Sequence, residues 1–166
     1  MNAIIYIMGV AGSGKTTVAK LLSLKTGLPF YDGDDFHSAG NKEKMKAGLP
    51  LNDKDREQWL HHLNILAIEQ SKLNGAVIAC SALKEKYRIV LANNIPHTQW
   101  IFLRGTYELI NYRMKQRDHF MPTQLLQSQF DDLEIPEFVF TIDIKNTPEK
   151  IVEIIVQYLN RSSNNH

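Results

Sequence analysis

The eight residues GVAGSGKT at positions 9–16 follow directly on the apolar run AIIYIM at positions 3–8. They match G-x-x-x-x-G-K-[ST], and the match dictates a local structure: a buried strand, a glycine-rich turn, and a helix that starts at the lysine. Gly9, Gly12 and Gly14 let the backbone curl at little steric cost, so successive N–H groups converge on one anion. The helix starting near Lys15 adds the positive end of its dipole. In such a cradle the lysine, here Lys15, reaches β- and γ-phosphates, and the hydroxyl of Thr16 ligates Mg²⁺. Val10, Ala11 and Ser13 complete the turn, while Thr17 reads as a helix-surface residue or an α-phosphate contact.

The strand–turn–helix beginning sets a rhythm that the rest of the chain keeps. Val18, Leu21 and Leu22 form a helical pattern that Gly27 and Pro29 stop. LPFYD (28–32) reads as a second strand ending in a carboxylate, and Asn52 caps a helix carrying Trp59, Leu63, Leu66 and Leu73 on one face, with Gly75 closing it. AVIAC (76–80) is a third strand, and residues 84–92 a short helix. TQWIFL (98–103) is a fourth strand, followed by a helix through Met114. FVFTID (138–143) is the fifth, after which Thr147 and Pro148 make an N-cap and first-turn pair for a last helix striped by Ile151, Ile155 and Leu159. Alternating strands and helices of this kind specify an α/β fold: a parallel sheet between two helical layers. Residues 34–51 and 113–136 stand outside the rhythm, where ligand-handling insertions and lids belong.

A chain of 166 residues suits one domain. We expect it to span residues 1–160, with a lid at about 113–136 and a frayed polar tail at 161–166. A net charge of +1 creates no field that would attract nucleic acid or an anionic membrane. Cys80, the one cysteine, excludes an internal disulfide and fits a reducing compartment. The apolar start is too short for a membrane span and lacks the flanks of a secretion signal, so a cytoplasmic location is expected. His61 and His62 have no partner at metal-ligand spacing and read as a solvated helix face.

The second strand ends in DGDDFH (32–37). Strand C-termini line the ligand crevice of an open parallel sheet, so Asp32 and Asp34 are expected beside the triphosphate. Transfer of a phosphoryl group to an alcohol needs a positioned metal and a carboxylate to orient or deprotonate the hydroxyl. One carboxylate for each task is the simplest reading, with Asp35 left as a helix cap.

Four blocks together carry a resemblance: the phosphate turn, DGDDFH, NKEKMKAGLPLNDKDREQWL (41–60) and CSALKEKYR (80–88). The chain resembles the gluconokinase family over nearly its full length, with RMKQRDHF and QSQFDDLEIP similar to that family's lid and following helix. The resemblance implies ATP-dependent phosphorylation of D-gluconate at its 6-hydroxyl, to 6-phospho-D-gluconate and ADP. It implies a three-layer P-loop kinase fold with strand order 2-3-1-4-5, and a homodimer, which no residue pattern in the chain itself indicates.

Gluconate is a small polyol carboxylate, so its site needs cations and polar groups. Arg56, Lys84 and Arg88 are the cations of the matched blocks, with Arg56 the leading choice, and His37, Asn41 and Ser81 suit hydroxyls. By analogy with related kinases, Asp34 takes the 6-hydroxyl and Asp32 holds Mg²⁺ through water. Arg113 and Arg117 lie four apart on one helical face, where both can meet phosphate or adenine as charge develops. The loop 145–148 is where such kinases hold adenine. Trp59, Leu60, Met45 and Leu51 read as packing, and Cys80 as an inert core residue. RDHF (117–120) departs from the family's Arg-x-Gly-His pattern by lacking the glycine and being one residue shorter, which bears on the lid hinge. Two rivals stay open: a kinase for shikimate or a nucleotide on the same scaffold, and an ATP-binding regulatory protein without transfer activity.

Overall fold

A computed structural model describes residues 2–117 and 122–164. At its centre runs β1 (Ile4–Met8), whose five residues are all buried. A strand apolar on both faces needs a helical layer on each side, and the topology supplies them. β1 lies between β3 (Ala76–Ala79) and β4 (Thr98–Arg104), with β2 (Phe30–Asp32) outside β3 and β5 (Phe140–Asp143) outside β4. All pairings are parallel, and the order is the expected 2-3-1-4-5.

Alternation along β1 sorts the core into two halves. Ile5 and Ile7 pack with Val18 and Leu22 of α1 (Lys15–Thr26), Ile110 of α5 (Tyr107–Lys115) and Ile155 of α7 (Pro148–Asn164). Ile4, Tyr6 and Met8 face Trp59 and Leu63 of α3 (Asp53–Lys72) and Leu91 of α4 (Glu85–Ala92). Tyr6 is fully buried and donates its hydroxyl to the Leu91 carbonyl at 3.0 Å, so its polar end is satisfied where water cannot reach.

The helix ends follow their sequence signals. Asn52 and Asp55 form a reciprocal capping box at the start of α3. Thr147 accepts from the Lys150 amide at 3.3 Å and opens α7. Three details differ from the periodicity reading. The insertion 34–51 is ordered as a 3-10 turn (Gly33–Phe36) and α2 (Ala39–Lys46), whose Ser38 cap accepts from the Asn41 amide at 3.1 Å. β5 begins at Phe140 because Phe138 adopts φ +56 and leaves its side chain in solvent. The tail is helical rather than frayed through Asn164, since docking of the apolar stripe carries α7 onward and Ser162 donates back to the Tyr158 carbonyl at 3.1 Å. Among the described residues no helix is long and apolar enough to cross a membrane.

Candidate active site

The turn between β1 and α1 is shaped by what packs beneath it. Gly12 has φ +78, and a Cβ there would lie 2.7 Å from the Met114 sulfur on α5 and 3.1 Å from Ile110. Only glycine lets α5 approach this closely while the backbone turns left-handed. Gly9 is confined likewise, between the Leu103 carbonyl and the Ser13 hydroxyl, each 2.8 Å from where a Cβ would stand. Gly14 caps α1 with no side-chain acceptor, and the first turn holds no acid, so the helix N-terminus keeps its dipole for an anion. Ser13 Oγ is buried without a hydrogen-bond partner among the described residues. This combination of open amides, an orphaned hydroxyl and a lysine fits a nucleoside triphosphate.

Lys15 Nζ donates to the Val10 carbonyl at 3.0 Å. Burial pushes its pKa down, and Asp34 is the strongest of the neighbouring charges pulling it back. Thr16 follows on the helix, donating its hydroxyl to Asp32 Oδ2 at 2.9 Å. The other Asp32 oxygen accepts from the Asp34 amide at 3.0 Å, which caps the 3-10 turn and fixes the carboxylate. A hydroxyl and a carboxylate at this distance are hard oxygen donors of the kind Mg²⁺ uses together with substrate phosphates.

Asp34 is reached from the same strand end. Its side chain is 75% exposed to the cavity, yet the surrounding walls raise its pKa, with Lys15 opposing them. In the open cleft water screens that effect; it strengthens as substrates displace water.

One cavity is lined by Lys15, Thr16, Asp32 and Asp34 together with His37, Arg56 and Ser81. Arg56 is 5% exposed. Its Nη1 donates to Tyr87 Oη at 3.1 Å and to Asp132 Oδ2 at 3.3 Å, and its Nε and Nη2 have no protein partner among the described residues. His37 stacks on Trp59 at 4.3 Å between centroids, and the indole N–H is tied to the Gly33 carbonyl at 2.7 Å. Burial, and then the charges of Arg56 and Lys42, push the His37 pKa down to about 4, so the ring is neutral at pH 7.

Other expected residues stand elsewhere. Asn41 lines a second cavity behind His37 and donates to the Asp55 carbonyl at 2.7 Å. Lys84 and Arg88 do not line the first cavity. Lys84 pairs with Asp53 at 3.1 Å and lies 3.7 Å from Asp132. The buried Arg88 guanidinium is spent on the carbonyls of Ala82, Leu83 and Glu134 and on the Glu85 carboxylate. Both cations are thus engaged by neighbouring protein groups. Met45 and Leu51, read as packing, line the cavity instead, as do Leu125 and Gln129 of α6 (Thr123–Asp132). Gln129 falls inside the block QSQFDDLEIP, but no spacing rule singles it out there.

Arg113 and Arg117 both line a groove with Thr17, Lys145, Asn146 and Thr147, and Arg117 also borders the main cavity. The loop 145–148 thus shares this groove with the phosphate turn. Of RDHF, positions 118–120 lie outside the described residues, and the glycine-less hinge with them. Cys80 is buried, and burial pushes its thiol up to about 12.

The shikimate kinase family profile matches residues 11–160. The chain is 43% identical over 172 residues to a probable gluconokinase of Dictyostelium discoideum, covering 94% of this chain and 86% of the relative. It is 42% identical to the thermosensitive gluconokinase of Escherichia coli strain K12, covering 89% and 82%. The crystal structure of a gluconokinase from Sinorhizobium meliloti 1021 superposes with a TM-score of 0.92 at 35% identity, over 99% of this chain and 95% of that one.

Proposed function

Because the chain belongs to the gluconokinase family of P-loop kinases, we propose that it transfers the γ-phosphoryl group of ATP to the 6-hydroxyl of D-gluconate, giving 6-phospho-D-gluconate and ADP. One observation carries this reading: a single cavity joins the phosphate turn to a buried arginine with unpaired donors, and Asp34 lines that same cavity. ATP lies with its phosphates on residues 9–17 and its base toward the loop 145–148, with Arg113 and Arg117 on the phosphates. The acceptor's carboxylate pairs with Arg56, and its hydroxyls meet His37 and Ser81. Lys84, Arg88 and Asn41 serve the acceptor by holding the wall, the last through His37, whose Nδ1 lies 3.4 Å from the Asn41 amide nitrogen.

Asp34 accepts the proton of the 6-hydroxyl and directs its oxygen at the γ-phosphorus. Lys15, and Arg117 at the lid, balance the charge that spreads over the transferring oxygens. Thr16 and Asp32 would hold Mg²⁺, which supplies charge neutralisation across the β- and γ-phosphates. Substrate closure excludes water that would otherwise hydrolyse ATP. The near-neutral surface supports a small-molecule partner rather than nucleic acid or membrane. We also propose a cytoplasmic location and a homodimer.

A coupled ADP-release screen over gluconate, shikimate and nucleoside monophosphates tests the reading. Gluconate-dependent ADP release is expected. Release only with shikimate or a nucleotide would move the acceptor assignment, and nucleotide binding without release to any acceptor would leave a regulatory ATP-binding protein.

A further inference from the structure

No motif singles out Gln129, yet α6 sets its carboxamide against the phosphate turn. Gln129 Oε1 accepts from the Ala11 N–H at 3.2 Å. An amide N–H only donates, so the oxygen must face it and the orientation of the carboxamide is fixed. The same peptide group carries the Val10 carbonyl, whose oxygen accepts from Lys15 Nζ at 3.0 Å and from the Ser13 amide at 3.3 Å. One planar peptide is therefore gripped at its N–H by α6 and at its oxygen by the residue that reaches the phosphates.

We infer that Gln129 is a positioning residue for phosphoryl transfer: it fixes the Val10–Ala11 peptide plane and, through it, the starting position of Lys15. The inference rests on the kinase reading above. Because the peptide is rigid, any rotation that frees the N–H also turns the carbonyl away from Lys15. Accepting a hydrogen bond from the N–H further polarises the carbonyl and strengthens its hold on the ammonium. α6 extends the arrangement to the acceptor. Asp132 lies three residues beyond Gln129, on the same helical face, and holds Arg56 at 3.3 Å. One helix thereby sets the donor's lysine and the acceptor's arginine in register.

The test uses the full-length ¹⁵N-labelled protein and two variants. Gln129→Met keeps the length and removes the acceptor, whereas Gln129→Glu keeps an acceptor oxygen. In the nucleotide-free protein the Ala11 amide proton is expected to move upfield in Gln129→Met and to stay near its wild-type position in Gln129→Glu. With gluconate, kcat of Gln129→Met is expected to fall about tenfold, the effect of one lost hydrogen bond. Its KM for gluconate stays within about twofold, because the acceptor's own contacts are untouched. An unmoved Ala11 resonance in Gln129→Met overturns the inference, as does a moved one with unchanged kcat. A rise in gluconate KM that accounts for the whole loss also overturns it, since Gln129 would then be an acceptor contact. Should Gln129→Met fail to fold, Gln129→Glu decides: a displaced Ala11 resonance overturns the clamp and a retained one supports it. The resonance needs no acceptor, so it reads the clamp even where a silent wild-type assay sinks the gluconate reading.

Discussion

Arg56 Nη1 and Asp132 Oδ2 lie 3.3 Å apart, and the pair ties α3 to the last turn of α6. Behind them Tyr87 accepts from Arg56 and donates to Asp53, which also takes Lys84 and Lys86. These bonds, Lys86 first, hold the Asp53 carboxyl below its ordinary range. Arg56 is anchored through one nitrogen, which leaves its other donors without a protein partner among the described residues, and the guanidinium sits 5.4 Å from the Tyr87 ring centre.

Arg56→Lys should therefore raise the gluconate KM at least about tenfold, because an ammonium cannot meet Tyr87, Asp132 and a planar carboxylate together. The KM for ATP should stay near wild type. Steady-state kinetics with each substrate varied in turn checks this, and an unchanged gluconate KM would remove Arg56 from the acceptor site.

Asp34→Asn should lower kcat roughly 10²–10⁴-fold, the range for a lost general base, while ADP binding by calorimetry stays intact. With substrates bound, the raised pKa of Asp34 should place the acid limb of the wild-type kcat profile above the ordinary carboxylate range, with activity lost as pH falls through it. Near-normal turnover in Asp34→Asn would end the assignment.

Thr16→Val removes a hydroxyl that stands 2.9 Å from Asp32. More than about a tenfold loss of kcat, with a higher Mg²⁺ concentration for half-activation, is the expected result. Thr16→Ser should restore both, and EDTA should abolish wild-type turnover. Equal Mg²⁺ dependence in Thr16→Val and wild type would take the hydroxyl out of the metal site.

The parallel sheet was legible because β1, β3 and the centre of β4 are apolar on both faces and buried strands announce themselves as runs, whereas the strand order came only with the family resemblance. The phosphate turn was legible because its chemistry demands residue types at fixed spacing. Arg88 is ambiguous in sequence for a physical reason: a guanidinium that clamps carbonyls, as this one does, looks the same there as one that clamps a ligand. Residues 39–46 carry no apolar stripe, so α2 did not show in the periodicity; its Ser38 cap was the readable signal. Gln129 was out of reach because its contact with Ala11 spans 118 residues and rests on how α6 docks.

His37 gives the pH dependence of stability its sign. Its folded pKa of about 4 lies below the ordinary 6.5, so between those values the unfolded chain binds a proton that the native ring refuses. Stability should then fall as pH drops from 6.5 toward 4 and be flat with respect to this group above 6.5. Water in the cavities on either side of the ring tempers the effect to about 1–2 kcal/mol. The depressed carboxyls of Asp53 and Asp55 act in a separate window, losing their contribution only as pH falls below their unfolded value of 3.8. Urea unfolding at pH 7, 5.5 and 4.5, set beside His37→Gln, isolates the term. The variant should show a smaller loss across this range than the wild type, and parallel curves would mean that His37 titrates as freely in the folded protein as in the unfolded chain.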